Sequence, residues 1–152
     1  MTRLKTVVVG RTLEDCVFCQ IIKGKAPASI VYSDEQVLCL MDIRPVNPGH
    51  VLVVPKAHVP RLADLDDETG GHVFRIAIRI AKALAGSGLR CEGINLFLAD
   101  GNIAGQEIFH VHVHVIPRFE GDGFGIKFGP HYGVQTRKEL DAAASKIRDT
   151  LR

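Results

Sequence analysis

The sequence predicts an α+β fold: an antiparallel sheet of about five strands, with one long helix and a C-terminal helix packed on it. Three observations point there. Short apolar runs near 30–33, 36–41, 51–54, 94–99 and 109–116 have strand length and carry many β-branched residues. One long stretch between the third and fourth runs has a helical period instead. Short turns join the first run to the second and the fourth to the fifth, which makes each pair an antiparallel neighbour.

A chain of 152 residues has the size of one domain with a proper core. It is read as a single domain over 13–152 behind an N-terminal arm, 1–12, that holds no motif. Hydrophobic residues make up 46%, and no low-complexity run breaks the chain, which argues against disorder. With 19 basic and 17 acidic residues the net charge is +2. That balance sets up no broad field for a nucleic-acid polymer or an acidic membrane, so a phosphate ligand must be met by local groups. No apolar run approaches a membrane span, and Val7-Val8-Val9 is too short for the apolar centre of a signal peptide. The expectation is a cytoplasmic protein whose four cysteines are reduced. Metal or burial then explains them better than disulfides.

The elements follow in order. Residues 15–24 read as a short helix stopped by Gly24, and they carry Cys16-x-x-Cys19. Two thiolates at that spacing can grip one tetrahedral metal if two more ligands come from elsewhere; buried structural cysteines are the plain alternative. The runs at 30–33 and 36–41 flank an Asp34-Glu35 turn as a hairpin, with Cys39 in the core. Asp42 to His50 is a loop, fixed by Pro45 and Pro48 and opened by Gly49. The run at 51–54 is a buried strand ended by Pro55. His50 and His58 flank it, and no periodicity accounts for either.

Asp66-Asp67-Glu68-Thr69 starts a helix, with acids at the positive end of its dipole. Val73, Ile76, Ala77, Ile80, Ala81 and Leu84 form its apolar stripe, and Arg75, Arg79 and Lys82 lie on another face. The stripe is core, covering a sheet, and the helix ends at Gly86-Ser87-Gly88. After the fourth strand a glycine-bearing turn, Asp100 to Gln106, leads into the fifth. Its glycines let backbone N–H groups approach an anion, although a simple hairpin turn has the same composition. Further on, Thr136-x-x-Glu139 is a capping box for a terminal amphipathic helix bearing Leu140, Ala143, Ala144, Ile147 and Leu151.

The fifth strand carries the chemistry. In Phe109-His110-Val111-His112-Val113-His114-Val115 the histidines alternate with apolar residues. An extended segment puts i, i+2 and i+4 on one face, spacing neighbouring imidazoles by ~6.6 Å. Chance rarely places three imidazoles in register like this; the plain alternatives are a strand with an exposed polar face or a metal-only site.

This H-x-H-x-H segment, followed by Val115-Ile116-Pro117-Arg118, resembles the histidine-triad family of nucleotide hydrolases and transferases. Cys16-x-x-Cys19 with Ile21-Ile22 and Gly24, Asp42-Ile43 with Pro48-Gly49-His50, Val53-Val54-Pro55-Lys56-x-His58, and Ala104-Gly105-Gln106 stand in the same order as that family's motifs. The glycine loop Gly121-Asp122-Gly123-Phe124-Gly125 resembles a bacterial branch. The resemblance implies the α+β fold given above and a homodimer formed through the long helix and the strand near it.

It also implies attack on the α-phosphorus of a nucleotide by His112, giving a nucleotidyl-histidine that water cleaves. A backbone carbonyl would fix the His112 tautomer, and His114 would contact the phosphate, with His50 supporting it. Backbone N–H groups at Gly105 and Gln106 would meet phosphoryl oxygens, Asp42 the ribose hydroxyls and Ile43 the base. One structural zinc per chain would be held by Cys16, Cys19, His58 and His110. The implied substrates are small nucleotides: adenosine phosphoramidates or dinucleoside polyphosphates. Two positions depart from other branches: Ala99 stands where many members carry an amide, and Glu107 where some carry serine.

Overall fold

The computed structural model describes residues 12–151; the arm expected over 1–12 lies, except for Thr12, outside the described residues. The expected 13–152 domain comprises two compact units, one running to Asp122 and one beginning at Gly123. The fold is α+β, with five antiparallel strands and three helices.

In the first unit the elements are α1 (Val17–Ile22), β1 (Ile30–Ser33), β2 (Val37–Met41), β3 (Val51–Pro55), α2 (Asp67–Gly86), β4 (Gly93–Phe97) and β5 (Val113–Arg118). The strands lie side by side in the order β1-β2-β3-β5-β4, every neighbour antiparallel. The central pair β3 and β5 is thus joined by neither hairpin. It forms because both strands are apolar and can be covered on their two faces.

Strand alternation divides these side chains between two cores. Val37, Cys39, Val51, Val53, Val113 and Val115 pack under Val73, Ile76, Ala77, Ile80 and Leu84 of α2. Leu38, Leu40, Leu52 and Val54 face the other way and pack on Cys16, Phe18 and Cys19 around α1. The predicted α2 stripe is therefore core, except that Ala81 is only partly buried. Asp66 caps α2 by accepting the Thr69 N–H at 2.9 Å. Gly24, at φ +70°, closes the turn after α1 as expected. No described helix is long and apolar enough to cross a membrane.

In the second unit α3 (Arg137–Thr150) begins with the expected capping box, Thr136 and Glu139 each bonding the other's backbone N–H. Leu140, Ile147 and Leu151 are exposed.

One boundary differs from expectation in a way that matters for the site. The strand predicted over 109–116 begins only at Val113, with bends at 109 and 110. The Val111 N–H bonds to the Val59 carbonyl at 2.7 Å, outside the sheet, and the His110 ring reaches the Pro55 carbonyl at 2.7 Å. These contacts take the chain off the ladder before β5, so only His114 of the three histidines lies in regular strand.

Candidate active site and metal centre

The histidines sit at the edge where α1 meets the start of β5. Val113 and Val115 turn into the α2 core, so by alternation His112 and His114 look to the other face. Their rings are 4.8 Å apart, centroid to centroid. Phe18 of α1 stands edge-on to both His110 and His112, at 5.7 and 5.1 Å.

Hydrogen bonds decide where each proton sits. His112 Nδ1 is 2.7 Å from the His110 carbonyl oxygen, which can only accept. His112 therefore carries its proton on Nδ1 and leaves a lone pair on Nε2. Burial, opposed by that carbonyl and by Asp42, pushes its pKa below the ordinary imidazole value, so the ring is neutral at pH 7. The side chain is 8% exposed, buried but not sealed.

A second chain of bonds sets the other imidazole. The Val46 backbone N–H donates to His50 Nδ1 at 3.1 Å, so neutral His50 must carry its proton on Nε2. His50 Nε2 is 2.9 Å from His114 Nδ1 and donates to it. The His114 proton is then on Nε2. Burial first, then His112 and His50, lower the His114 pKa to about 4; burial also lowers that of His50. Asp42 Oδ2 stands 3.7 Å from His50 Nε2 and 3.9 Å from His114 Nδ1. Asp42, His50 and His114 are close enough together to resemble a metal triad. The Val46 N–H argues against one, because it puts a proton on the His50 nitrogen that a metal would need. The result is a pair of adjacent rings with opposite roles: His112 Nε2 accepts or attacks, and His114 Nε2–H donates.

Cys16, Cys19, His58 and His110 converge from α1, the loop after β3 and the approach to β5. The Nδ1 atoms of His58 and His110 are 3.3 Å apart, and Cys16 Sγ is 3.4 Å from His110 Nδ1. Cys19 Sγ lies 3.2 Å from His58 Nδ1 and 3.6 Å from His110 Nδ1. A tetrahedron with about 2.3 Å to sulfur and about 2.05 Å to nitrogen has edges of about 3.4 Å between nitrogens and about 3.6 Å between nitrogen and sulfur. The four atoms fit that shape. The donors also point the right way. His110 Nε2–H donates to Pro55, so its Nδ1 lone pair faces the cluster. Burial and Cys16 push the Cys19 thiol up to about 11, a cost that a bound cation removes by holding the thiolate. His58 Nε2 is buried without a hydrogen-bond partner among the described residues.

The turn before the histidines differs in its chemistry from expectation. Gly105 is left-handed at φ +89°, but its N–H donates to Asn102 O and that of Gln106 to Gly101 O, both at 3.0 Å. An anion would share these N–H groups with carbonyls of the turn. The Gln106 side chain is buried and fully used: it accepts from Gly101 N–H and donates to the carbonyls of Pro60 and Ile108. Its place in the motif reflects the shape of the turn. Ile43 is 92% exposed, an apolar side chain standing in solvent next to Asp42. Glu107 pairs with Arg44 at 2.7 Å across the rim, both side chains exposed. Ala99 is buried. Sequence reasoning missed Phe18 and the Val46 N–H. Phe18 could have been found from its place between the two cysteines; a backbone donor leaves no trace in sequence.

Comparison with known proteins agrees with this geometry. The family model for the HIT domain matches residues 23–121. An uncharacterized HIT-like protein of Methanocaldococcus jannaschii is 45% identical over 133 residues, covering 88% of this chain and 98% of that protein. The adenylylsulfatase HINT3 of Arabidopsis thaliana is 38% identical over 116 residues, 76% of this chain and 58% of that protein. Among solved structures, a zinc-bound histidine triad family protein from Mycobacterium smegmatis superposes with a TM-score of 0.72 at 39% identity, covering 92% of this chain and all of that one. On the family match, the shared sequence and the shared fold, the chain belongs to the HIT-domain family.

Proposed function

We propose that this protein is a nucleotide hydrolase that acts at the α-phosphorus through a nucleotidyl-histidine intermediate. The observation that carries this reading is the fixed tautomer of His112, which leaves Nε2 unprotonated beside a donor of the opposite kind on His114. In the first step the Nε2–P bond forms and the bond from phosphorus to the leaving amine or anhydride oxygen breaks. The departing atom is hydrogen-bonded by the His114 Nε2–H and takes its proton from solvent. In the second step water attacks phosphorus, the P–Nε2 bond breaks and the water's proton passes to solvent. Asp42 receives the ribose hydroxyls and Ile43 lies under the base. The substrates are adenosine phosphoramidates, mixed anhydrides or dinucleoside polyphosphates; the adenylylsulfatase relative supports the anhydride class.

One structural zinc per chain, held by Cys16, Cys19, His58 and His110, completes the reading, supported by the tetrahedral fit and the zinc-bound relative. Four protein ligands leave no open position, so the ion clamps α1 to the segment before His112 rather than meeting substrate. Thiolates at such a site suit the reducing cytoplasm. A homodimer through α2 and edge strand β4 is supported by exposed Phe74 and Ile78 on the helix, and by Leu96 and Phe97 on the strand.

The test is a panel of adenosine phosphoramidates, adenylyl anhydrides and dinucleoside polyphosphates, with rapid-quench mass spectrometry of the protein. The reading requires an adenylylated wild-type species and its loss in His112→Ala, with a folded protein in both cases. Turnover by His112→Ala equal to wild type would refute it. Capture of the adduct by added phosphate instead of water would make the enzyme a nucleotidyl transferase at the same residue.

A further inference from the structure

The loop that carries Asp42 and His50 contains a buried polar residue with no role in the chemistry above. Asn47 is 5% exposed, and its Nδ2 donates to the Pro117 carbonyl at 2.9 Å and to Asp122 Oδ2 at 2.8 Å. The Asp122 side chain is only 3% exposed. Arg118 grips this carboxylate with Nε at 2.6 Å and Nη2 at 2.9 Å, and the Phe119 N–H adds a longer contact at 3.3 Å. The remaining arm of Arg118 donates to Asn95 of β4. A buried carboxylate is stable only when hydrogen-bonded in this way, and the two-pronged guanidinium contact fixes direction as well as charge.

What this cluster holds is the geometry of a proton. The Asn47 carbonyl accepts the His50 N–H at 3.1 Å, and the residue just before it, Val46, donates the N–H that His50 Nδ1 accepts. The loop therefore holds His50 at its backbone N–H and at its ring Nδ1, and the Asn47 amide fixes the loop to the end of β5. Without that tie the Val46 N–H is free to leave the ring. The two neutral tautomers of His50 then compete. In the second, His50 Nε2 becomes an acceptor and His114 must donate from Nδ1. That leaves a lone pair on His114 Nε2, which repels phosphoryl oxygens and offers no N–H to the departing atom.

We propose that Asn47, held by Asp122 and Arg118, is a positioning residue that sets the tautomer of His114 through Val46 and His50. Its catalytic consequence rests on the hydrolase reading given above; the tautomer itself does not. The direct probe is a long-range proton–nitrogen correlation spectrum of the imidazoles in the uniformly labelled full chain at pH 7.5. Wild type, Asn47→Ala and Asp122→Asn are compared, with kcat and KM measured on an adenosine phosphoramidate.

Wild type is expected to show His114 as a single Nε2–H tautomer. Both variants should move its ring nitrogens toward tautomer averaging. Their kcat should fall about 10- to 100-fold with KM little changed, below the about 10⁴-fold loss that a fully wrong tautomer causes in a serine protease. Wild-type His114 protonated on Nδ1 would overturn the proposal without any variant. So would a variant that keeps the pure Nε2–H form, whatever its kcat. If one variant fails to fold, the other decides. Should wild type turn over no nucleotide, the hydrolase reading falls while the spectra still judge this inference.

Discussion

His112 donates its Nδ1–H to the backbone carbonyl of His110 at 2.7 Å, while the ring of the same His110 stands in the cluster with Cys16, Cys19 and His58. One residue thus places its side chain among four candidate metal-ligating groups and locks the tautomer of His112 from its backbone. Phe18, packed edge-on to both rings, belongs to the helix that carries the two thiols. Whatever holds the cluster together also holds the lock.

Metal removal should therefore affect stability and activity together. Elemental analysis is expected to give one zinc per chain. Chelation, or a Cys16→Ser/Cys19→Ser variant, should lower stability by several kcal/mol, on the order of 10 °C in melting temperature. kcat should fall along with it as the His110 carbonyl loses its fixed place. An apoprotein with unchanged melting temperature would show that the cluster is dispensable.

Acid should weaken the fold through the second pair of rings. The His114 pKa is lowered to about 4, mainly by burial and then by His112 and His50, and that of His50 is lowered as well. An imidazole whose pKa is depressed on folding contributes its full stability above the unfolded value of about 6.5. The contribution erodes as pH falls from there toward about 4, because the unfolded chain binds the proton first. The part-exposed His114 ring is screened by solvent, so the expected loss between pH 7.5 and pH 5 is about 1–2 kcal/mol. Urea unfolding at the two pH values measures it. Subtracting the same difference for His114→Asn removes the separate effect of acid on the thiolate cluster.

The parts of this molecule that were legible in sequence are those whose signal is local. The α2 stripe and its Asp66 cap, the apolar runs of β2 and β3, and the capping box at Thr136 need only near neighbours to declare themselves. The start of β5 was not legible, because the alternation around His110 continues unbroken through the bend. What ends the strand is a pair of distant acceptors, the carbonyls of Val59 and Pro55. For the same reason the part played by the Gln106 side chain leaves no local mark in the sequence. Its three amide bonds go to Gly101, Pro60 and Ile108, and Pro60 lies far away in the chain. The fourfold cluster is implied by resemblance alone; spacing leaves the cysteine pair ambiguous, because His58 and His110 join it only in the folded chain.

Ile43 separates binding from folding. At 92% exposure its side chain packs on nothing that stabilises the fold, so Ile43→Ala should change stability by no more than about 0.5 kcal/mol. If a base lies against it, the loss of apolar contact should raise KM about 3- to 10-fold with kcat nearly intact, since the interaction is equal in ground and transition states. Steady-state kinetics together with urea unfolding read both quantities. A variant with unchanged KM would remove Ile43 from the binding surface.

Gly49 is the position where backbone and site meet most tightly. Its φ is +98°, a conformation that side chains other than glycine's disfavour. A Cβ there would lie 3.0 Å from Leu84 Cδ2 and from Leu89 Cδ1, and 3.3 Å from Pro117 Cγ. Leu84 belongs to the α2 core and Pro117 to β5, so neither can move far. Gly49→Ala should cost about 1–3 kcal/mol from backbone strain alone. Because His50 is the next residue, the strain should also displace the ring that sets His114, and kcat should drop with it. The proper control is Gly24→Ala, at φ +70° with nothing within 4 Å of a Cβ. That change carries the backbone penalty without the collision and lies outside the loop that carries His50, so it should lower stability and leave kcat unchanged. Equal loss of kcat in the two variants would mean that activity merely tracks stability, and that the close packing at Gly49 does not position His50.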